Sequence, residues 1–263
     1  MKSKQESPLI IAQISDCHLF ADVTQCHYGA DVYNNFLTVL QKLKVNTAID
    51  VIVFTGDLSQ DHTERSYQNF VNAVHQAKIS VPFYYLAGNH DEPQLLNKYL
   101  ISAPFYQQKL IEQKNWQIIL LNSKSETPAG IIVQDELQRL KTLSAETNTD
   151  KHQLVMMHHH AIDVGYFIDR HGLKNSDVFW QVIEQQPTIK AIACGHVHRA
   201  LTVYLSPNKP QENKRSIPLY TCPATSIQFD PAKETVSSTG ESAGYRLFTL
   251  FADGKIETNV VYV

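Results

Sequence analysis

Short runs rich in apolar, β-branched and aromatic residues recur along the chain at 9–14, 51–55, 81–86, 116–121, 153–157, 189–193 and 217–221. They are almost continuously apolar instead of alternating, the pattern of strands covered on both faces. Between several of them the period lengthens to that of a helix. Val32, Phe36, Val39, Leu40 and Leu43 fall on one stripe behind a capping Asp31, and Tyr67, Phe70, Val71 and Val74 repeat at i, i+3, i+4 and i+7. Leu137, Leu140 and Leu143 share a third face. Val178, Phe179, Val182 and Ile183 make a fourth, after Asn175 and Ser176. All four stripes are assigned to core packing and to no chemistry.

Strands alternating with helices predict an α/β fold with layered sheets. Toward the C-terminus the helical period disappears, and 245–251 and 255–263 flank Ala252-Asp253-Gly254 as a hairpin. The expected architecture is two sheets packed face to face with helices outside. The segments 207–216 and 231–243 are polar and read as loops. No internal repeat interrupts the pattern, so one domain over 1–263 is expected.

Composition narrows the classes. With 43% hydrophobic and 19% charged residues the chain builds a core and is not intrinsically disordered. A net charge of −3, from 23 Lys+Arg against 26 Asp+Glu, excludes a basic nucleic-acid footprint. No apolar run reaches the ~18 residues of a membrane span, and Met1–Ile10 offers no apolar signal region. Cys17, Cys26, Cys194 and Cys222 are scattered without a CxxC pair, which argues against a disulfide framework or a cysteine zinc site. These features predict a cytoplasmic protein.

Histidine is the unusual residue. Seven of the 12 fall in four short segments: His18, His90, His158 to His160, and His196 with His198. With Asp16 and Cys17, Gly56-Asp57, Gly88-Asn89, Asp91 and Gly195 they make five polar clusters, each just after a strand-like run. The carboxyl ends of strands in layered α/β folds line one edge, where ligands bind. Asp16 and His18 are two apart, as are His196 and His198, so an extended backbone would point each pair to one side. Oxygen and imidazole donors without thiolate suit Fe, Mn, Zn or Co. Asp16, His18, Asp57, Asn89, His158, His196 and His198 are too many ligands for one ion and, with one carboxylate shared, suit a pair.

The order DxH, GD, GNHD, a histidine run and GHxH resembles the calcineurin-like metallophosphoesterase superfamily. Within it, the chain is similar to the class III cyclic-nucleotide phosphodiesterases. That narrower likeness uses Gln13 to Asp16 with His18-Leu19-Phe20, Gly56 to Asp61, the triple histidine and Cys194-Gly195-His196. It extends to Pro223 through Phe229 and to Gly244-Tyr245-Arg246 before Ala252-Asp253-Gly254. One departure is Ala161, where the family usually has proline after the histidines.

The resemblance implies a four-layer α/β/β/α metallophosphoesterase sandwich of two mixed sheets flanked by helices. It implies a first divalent ion on Asp16, His18, Asp57 and His198, and a second on Asp57, Asn89, His158 and His196, with Fe2+ or Mn2+ favoured over Zn2+ or Co2+. His158 is chosen because it follows the strand directly, which leaves His159 and His160 to pack or line the pocket. The implied activity is hydrolysis of 3′,5′-cyclic AMP, a small-molecule partner, to 5′-AMP by metal-activated water. Phosphate would contact His18, Asp57, Asn89, His90 and His198. His90 would be the proton donor, and Asp91 would orient its ring. Neighbouring substrate classes are 2′,3′-cyclic nucleotides and glycerophosphodiesters, since specificity resides in loops. The candidate loops are 24–30, 163–174 and 225–228. A catalytically dead scaffold of this fold predicts missing ligands, and none is missing. The chain as monomer or homodimer is left open.

Overall fold

The computed structural model describes residues 7–146, 150–204 and 216–263. The first six residues and nearly all of the expected loop 207–216 lie outside them. One sheet contains β1 (Leu9–Ile14), β2 (Val51–Phe54), β3 (Phe83–Tyr85), β4 (Phe105–Tyr106), β11 (Gly244–Leu250) and β12 (Ile256–Tyr262), in the order β12-β11-β1-β2-β3-β4. The other contains β5 (Leu110–Gln113), β6 (Trp116–Leu120), β7 (His152–Met157), β8 (Ile189–Cys194), β9 (Thr202–Tyr204) and β10 (Pro218–Thr221), in the order β5-β6-β7-β8-β10-β9. Both sheets are mixed. Their central strands are parallel, as β1 to β2 and β7 to β8 show, while β11, β12, β5 and β9 join antiparallel.

The strands are apolar throughout because each face has its own layer to meet. Leu9, Ile11, Val51 and Val53 pack toward the other sheet against Ile118, Leu120, Leu154 and Met156. The alternate residues Ala12, Ile14, Ile52 and Phe54 pack outward under α1 (Val32–Val45) and α2 (Glu64–Ala77). On the far side Val155, Met157, Ile189 and Ile192 meet α4 (Gln134–Glu146) and α5 (Ser176–Glu184). The result is the expected α/β/β/α order of layers.

Local signals explain most boundaries. Asp31 caps α1 by accepting from the Asn34 amide at 2.9 Å, and the five residues of the predicted stripe are its buried ones. In α5 the stripe is different: Val178 is 39% exposed and Trp180 is buried, its indole donating to the Ala161 carbonyl at 2.7 Å. The sequence period does not foretell α3 (Pro93–Tyr99), which buries only Leu96, or the short strands β4, β5 and β9. Segments so short carry too few residues for a period.

Arg246 fastens the hairpin to the second sheet. Its buried guanidinium donates to Thr221 O, Leu201 O and Thr258 Oγ1, each at 3.0 Å. Arg246→Ala leaves two carbonyls short of a donor and is expected to cost about 3 kcal/mol in a urea titration. Lysine, which cannot fork to three acceptors, should recover only part of that loss.

Candidate metal centre

Five clusters that span just over 180 residues, from Asp16 to His198, meet at the carboxyl edge of the two sheets. The loops after β1 and β2 are zipped together, Asp16 N donating to Gly56 O at 2.9 Å and His18 N to Asp57 O at 3.1 Å. The loop after β8 joins them through His196 N, which donates to the Asp16 carboxylate at 3.0 Å. Asp16, His18, Asp57, His196 and His198 all have φ between 48° and 66°. That left-handed region costs non-glycine residues energy, so the frame around them must impose it. The extended geometry expected for the DxH and HxH pairs is therefore not the one adopted. Each pair reaches the centre through two left-handed residues.

The donors form two groups with one carboxylate between them. In the first, His198 Nε2 lies 3.4 Å from Asp16 Oδ1 and 3.1 Å from His18 Nε2. In the second, His158 Nε2 lies 3.0 Å from Asn89 Oδ1 and 3.1 Å from His196 Nδ1. Asp57 Oδ2 stands 3.7 Å from His18 Nε2 and 3.3 Å from His158 Nε2, the position of a shared ligand.

The chemistry of this set fits cations. His158 Nδ1 bonds to the Thr55 carbonyl at 2.7 Å and His198 Nδ1 to the Ile227 carbonyl at 2.8 Å. A carbonyl only accepts, so each ring spends its proton outward and aims the Nε2 lone pair inward, the orientation that metal-binding imidazoles take. His158 Nε2 then faces an amide oxygen, a carboxylate and another imidazole. One proton there can serve one acceptor, whereas a cation serves all. The same electrostatics act on the ring itself: burial opposes its ionisation, yet the facing Asp57 carboxylate pushes its pKa up to about 9. Burial holds His18 and His196 well below the ordinary histidine value, leaving them neutral donors.

Neighbours of the set have separate roles. His159 sits within ligand range of His158 and His196, but its nitrogens are engaged by Ser123 Oγ at 2.8 Å and Pro128 O at 3.2 Å. His160 bonds Asp169 at 3.1 Å, and Asp169 also accepts from the amides of Val164 and Gly165. This ties the segment 163–171 to the histidine run. His90 donates its amide to Asp57 Oδ1 at 2.8 Å and lines the cavity, while burial lowers the pKa of its ring.

The expected pairing of Asp91 with His90 is corrected. Asp91 is fully buried and accepts from the backbone amides of Asp57, Leu58 and Gly88, each at 2.8 Å. It splices the GD and GNHD loops and does not orient the His90 ring, whose Nδ1 has no partner among the described residues. The ring stacks instead on His62, 5.8 Å away, which is 3.4 Å from Glu92. No spacing in the sequence pointed to His62. Burial and the charge of Asp57 push the Asp91 carboxyl up to about 7, against the pull of its amide bonds.

The cavity above the cluster measures about 350 Å3, and its lining includes His18, Asp57, Asn89, His90, His196 and His198. Phe167, Ile168, Phe229 and Val236 also line it, with Arg170, His171 and Thr235. Of the three candidate loops, 163–174 contributes Phe167, Ile168, Arg170 and His171 to the lining. The segment 225–228 works from behind, with Thr225 N and Ser226 N donating to Ser15 O and Asp16 O.

The Calcineurin-like phosphoesterase family model matches residues 9–200. A Colwellia psychrerythraea protein named probable cyclic nucleotide phosphodiesterase is 52% identical over 98% of this chain and 97% of its own length. The 3′,5′-cyclic adenosine monophosphate phosphodiesterase CpdA of Vibrio vulnificus is 31% identical over 97% of this chain and 90% of its own. Among solved structures, a dimetal phosphatase from Danio rerio superposes with a TM-score of 0.65 at 12% identity, covering 98% of this chain and 99% of that one. Its likeness extends to the fold.

Two substitutions test the frame without replacing a donor. A Cβ at Gly88 would lie 2.1 Å from Asp57 Oδ1 and 2.5 Å from Asp57 N, so Gly88→Ala must displace the shared carboxylate and its backbone and should yield protein with little bound metal by elemental analysis. Asp91→Ala strands three buried amides and is expected to weaken Mn2+ affinity about 10–100-fold, read by titration calorimetry.

Proposed function

Because this chain belongs to the calcineurin-like phosphoesterase family, we propose that it hydrolyses 3′,5′-cyclic AMP to 5′-AMP with two divalent ions held at this cluster. The observation that carries the reading is the convergence of two donor groups on the shared Asp57, at the floor of a cavity with room for a small ligand. Relatives named cyclic nucleotide phosphodiesterases over nearly the whole chain support the substrate.

Asp16, His18, Asp57 and His198 would hold one ion, and Asp57, Asn89, His158 and His196 the other. Fe2+ or Mn2+ is favoured, with Zn2+ or Co2+ also suited to the donors. When bound, such ions supply positive charge to the phosphate oxygens and acidify the attacking water.

The residues of the chain do the rest. Water attacks phosphorus, the bond from phosphorus to the ribose O3′ breaks, and O3′ takes a proton from the His90 ring. His90 suits that role because it borders the cavity and both groups while its own amide is fixed on Asp57. Asp57 positions it through that bond, and Asp91 holds the two loops in register. His18, Asp57, Asn89, His90 and His198 border the place where phosphate would sit. The four free cysteines, three of them buried, support work in the cytoplasm.

Steady-state assays separate the roles. Chelation should abolish hydrolysis of cyclic AMP and Mn2+ or anaerobic Fe2+ restore it. His90→Ala should keep its metal and lose about 10²–10⁴ in rate, whereas Asp57→Ala should lose metal too. A panel of 3′,5′-cyclic AMP, 2′,3′-cyclic AMP and a glycerophosphodiester decides the substrate. Preference for either of the last two would overturn the assignment.

A further inference from the structure

The cavity lining is mixed in kind. Beside the polar donors, Phe167, Ile168 and Phe229 belong to a small hydrophobic cluster of their own with Ile227, separate from the layers of the sandwich. The Phe167 and Phe229 rings lie 5.1 Å apart at 54°. Phe229 in turn stacks on His198 at 3.8 Å and 5°, so the aromatic surface starts at the edge of the donor cluster.

This surface is rigidly mounted. Asp169 gathers Val164 N, Gly165 N and the His160 ring, and the Tyr166 hydroxyl donates to Val197 O. Arg170 donates Nε to Phe167 O at 3.1 Å and a terminal nitrogen to Glu234 O. Phe167 is therefore fixed relative to both His158 and His196, whose segments carry these anchors. Such support places a binding group reproducibly.

We propose that Phe167, flanked by Phe229 and Ile168, is the wall against which the nucleobase stacks. The proposal rests on the phosphodiesterase reading above and adds where its specificity comes from. A nucleotide whose phosphate lies on the polar floor has its ribose and base left to place in the same cavity. The base is a flat π-system, and beyond the donor cluster the lining offers the aromatic rings of Phe167 and Phe229 beside Ile168 and Val236, with Arg170, His171 and Thr235 among them. Stacking of a base on an aromatic side chain contributes about 1–3 kcal/mol. That is enough to separate a nucleotide from a bare sugar phosphate that the metal floor would accept equally well.

Calorimetric titration of Mn2+-loaded protein with 5′-AMP and with ribose 5-phosphate reads the wall apart from the floor, because the two ligands share everything but the base. Phe167→Leu preserves the apolar packing and removes the aromatic face. The wild type should bind 5′-AMP more tightly than ribose 5-phosphate. The variant should bind 5′-AMP about tenfold more weakly, with ribose 5-phosphate unchanged. Equal affinities for the two ligands in the wild type overturn the proposal, as does an unchanged 5′-AMP affinity or an equal loss for both ligands in the variant. Failure of the wild type to hydrolyse cyclic AMP would count against the activity proposed above, while the titration would still decide the wall.

Discussion

Acceptor atoms from two carboxylates, one amide and four imidazoles face one another at 3.0–3.7 Å in a nearly buried space. In such surroundings carboxylates and lone pairs repel, and the interaction is screened far less than in water. Two features make the arrangement tolerable. The outward nitrogens of His158 and His198 are tied to backbone carbonyls, so the rings cannot turn away. Positive charge is then favoured inside, the same influence by which the facing Asp57 carboxylate pushes the His158 pKa up to about 9 against burial.

The sandwich exists in this form to hold that cluster. Five of the donor residues sit in left-handed backbone, a conformation that persists only where surrounding structure over-determines it. Parallel strands β1, β2, β7 and β8 end at one edge with apolar layers on both sides, which gives their following loops a stiff base. Asp91 adds the local part by joining the Asp57, Leu58 and Gly88 amides on one carboxylate. An acid beside the reacting centre thus acts on the backbone.

Division of labour follows from the chain order. The family match ends at residue 200, just beyond His198, so all seven donors lie within it. Residues that orient or overlook them lie partly beyond: Ile227 supplies the carbonyl for His198, Phe229 covers its ring, and Arg246 anchors the returning hairpin. Groups that orient and cover the donors are thus encoded partly beyond the stretch that carries the donors themselves.

Most of the layering was legible in the residues because an apolar strand covered on both faces and a 3.6-residue stripe leave local patterns, as at 9–14, 51–54 and the stripe from Val32 to Leu43. The candidate donors were legible too, since each follows such a run and few other reasons exist to put histidine there. Short elements such as Pro93–Tyr99 were not, because fewer than two turns hold no period. Nor were Asp91's bonds to the backbone, the stacking of His62 on His90, or the wall at Phe167 and Phe229. Sequence determines which groups follow which strand. Whether two such groups touch, and which atom of each is free to act, depends on loop conformation and on partners more than a hundred residues away, and only the folded chain decides that.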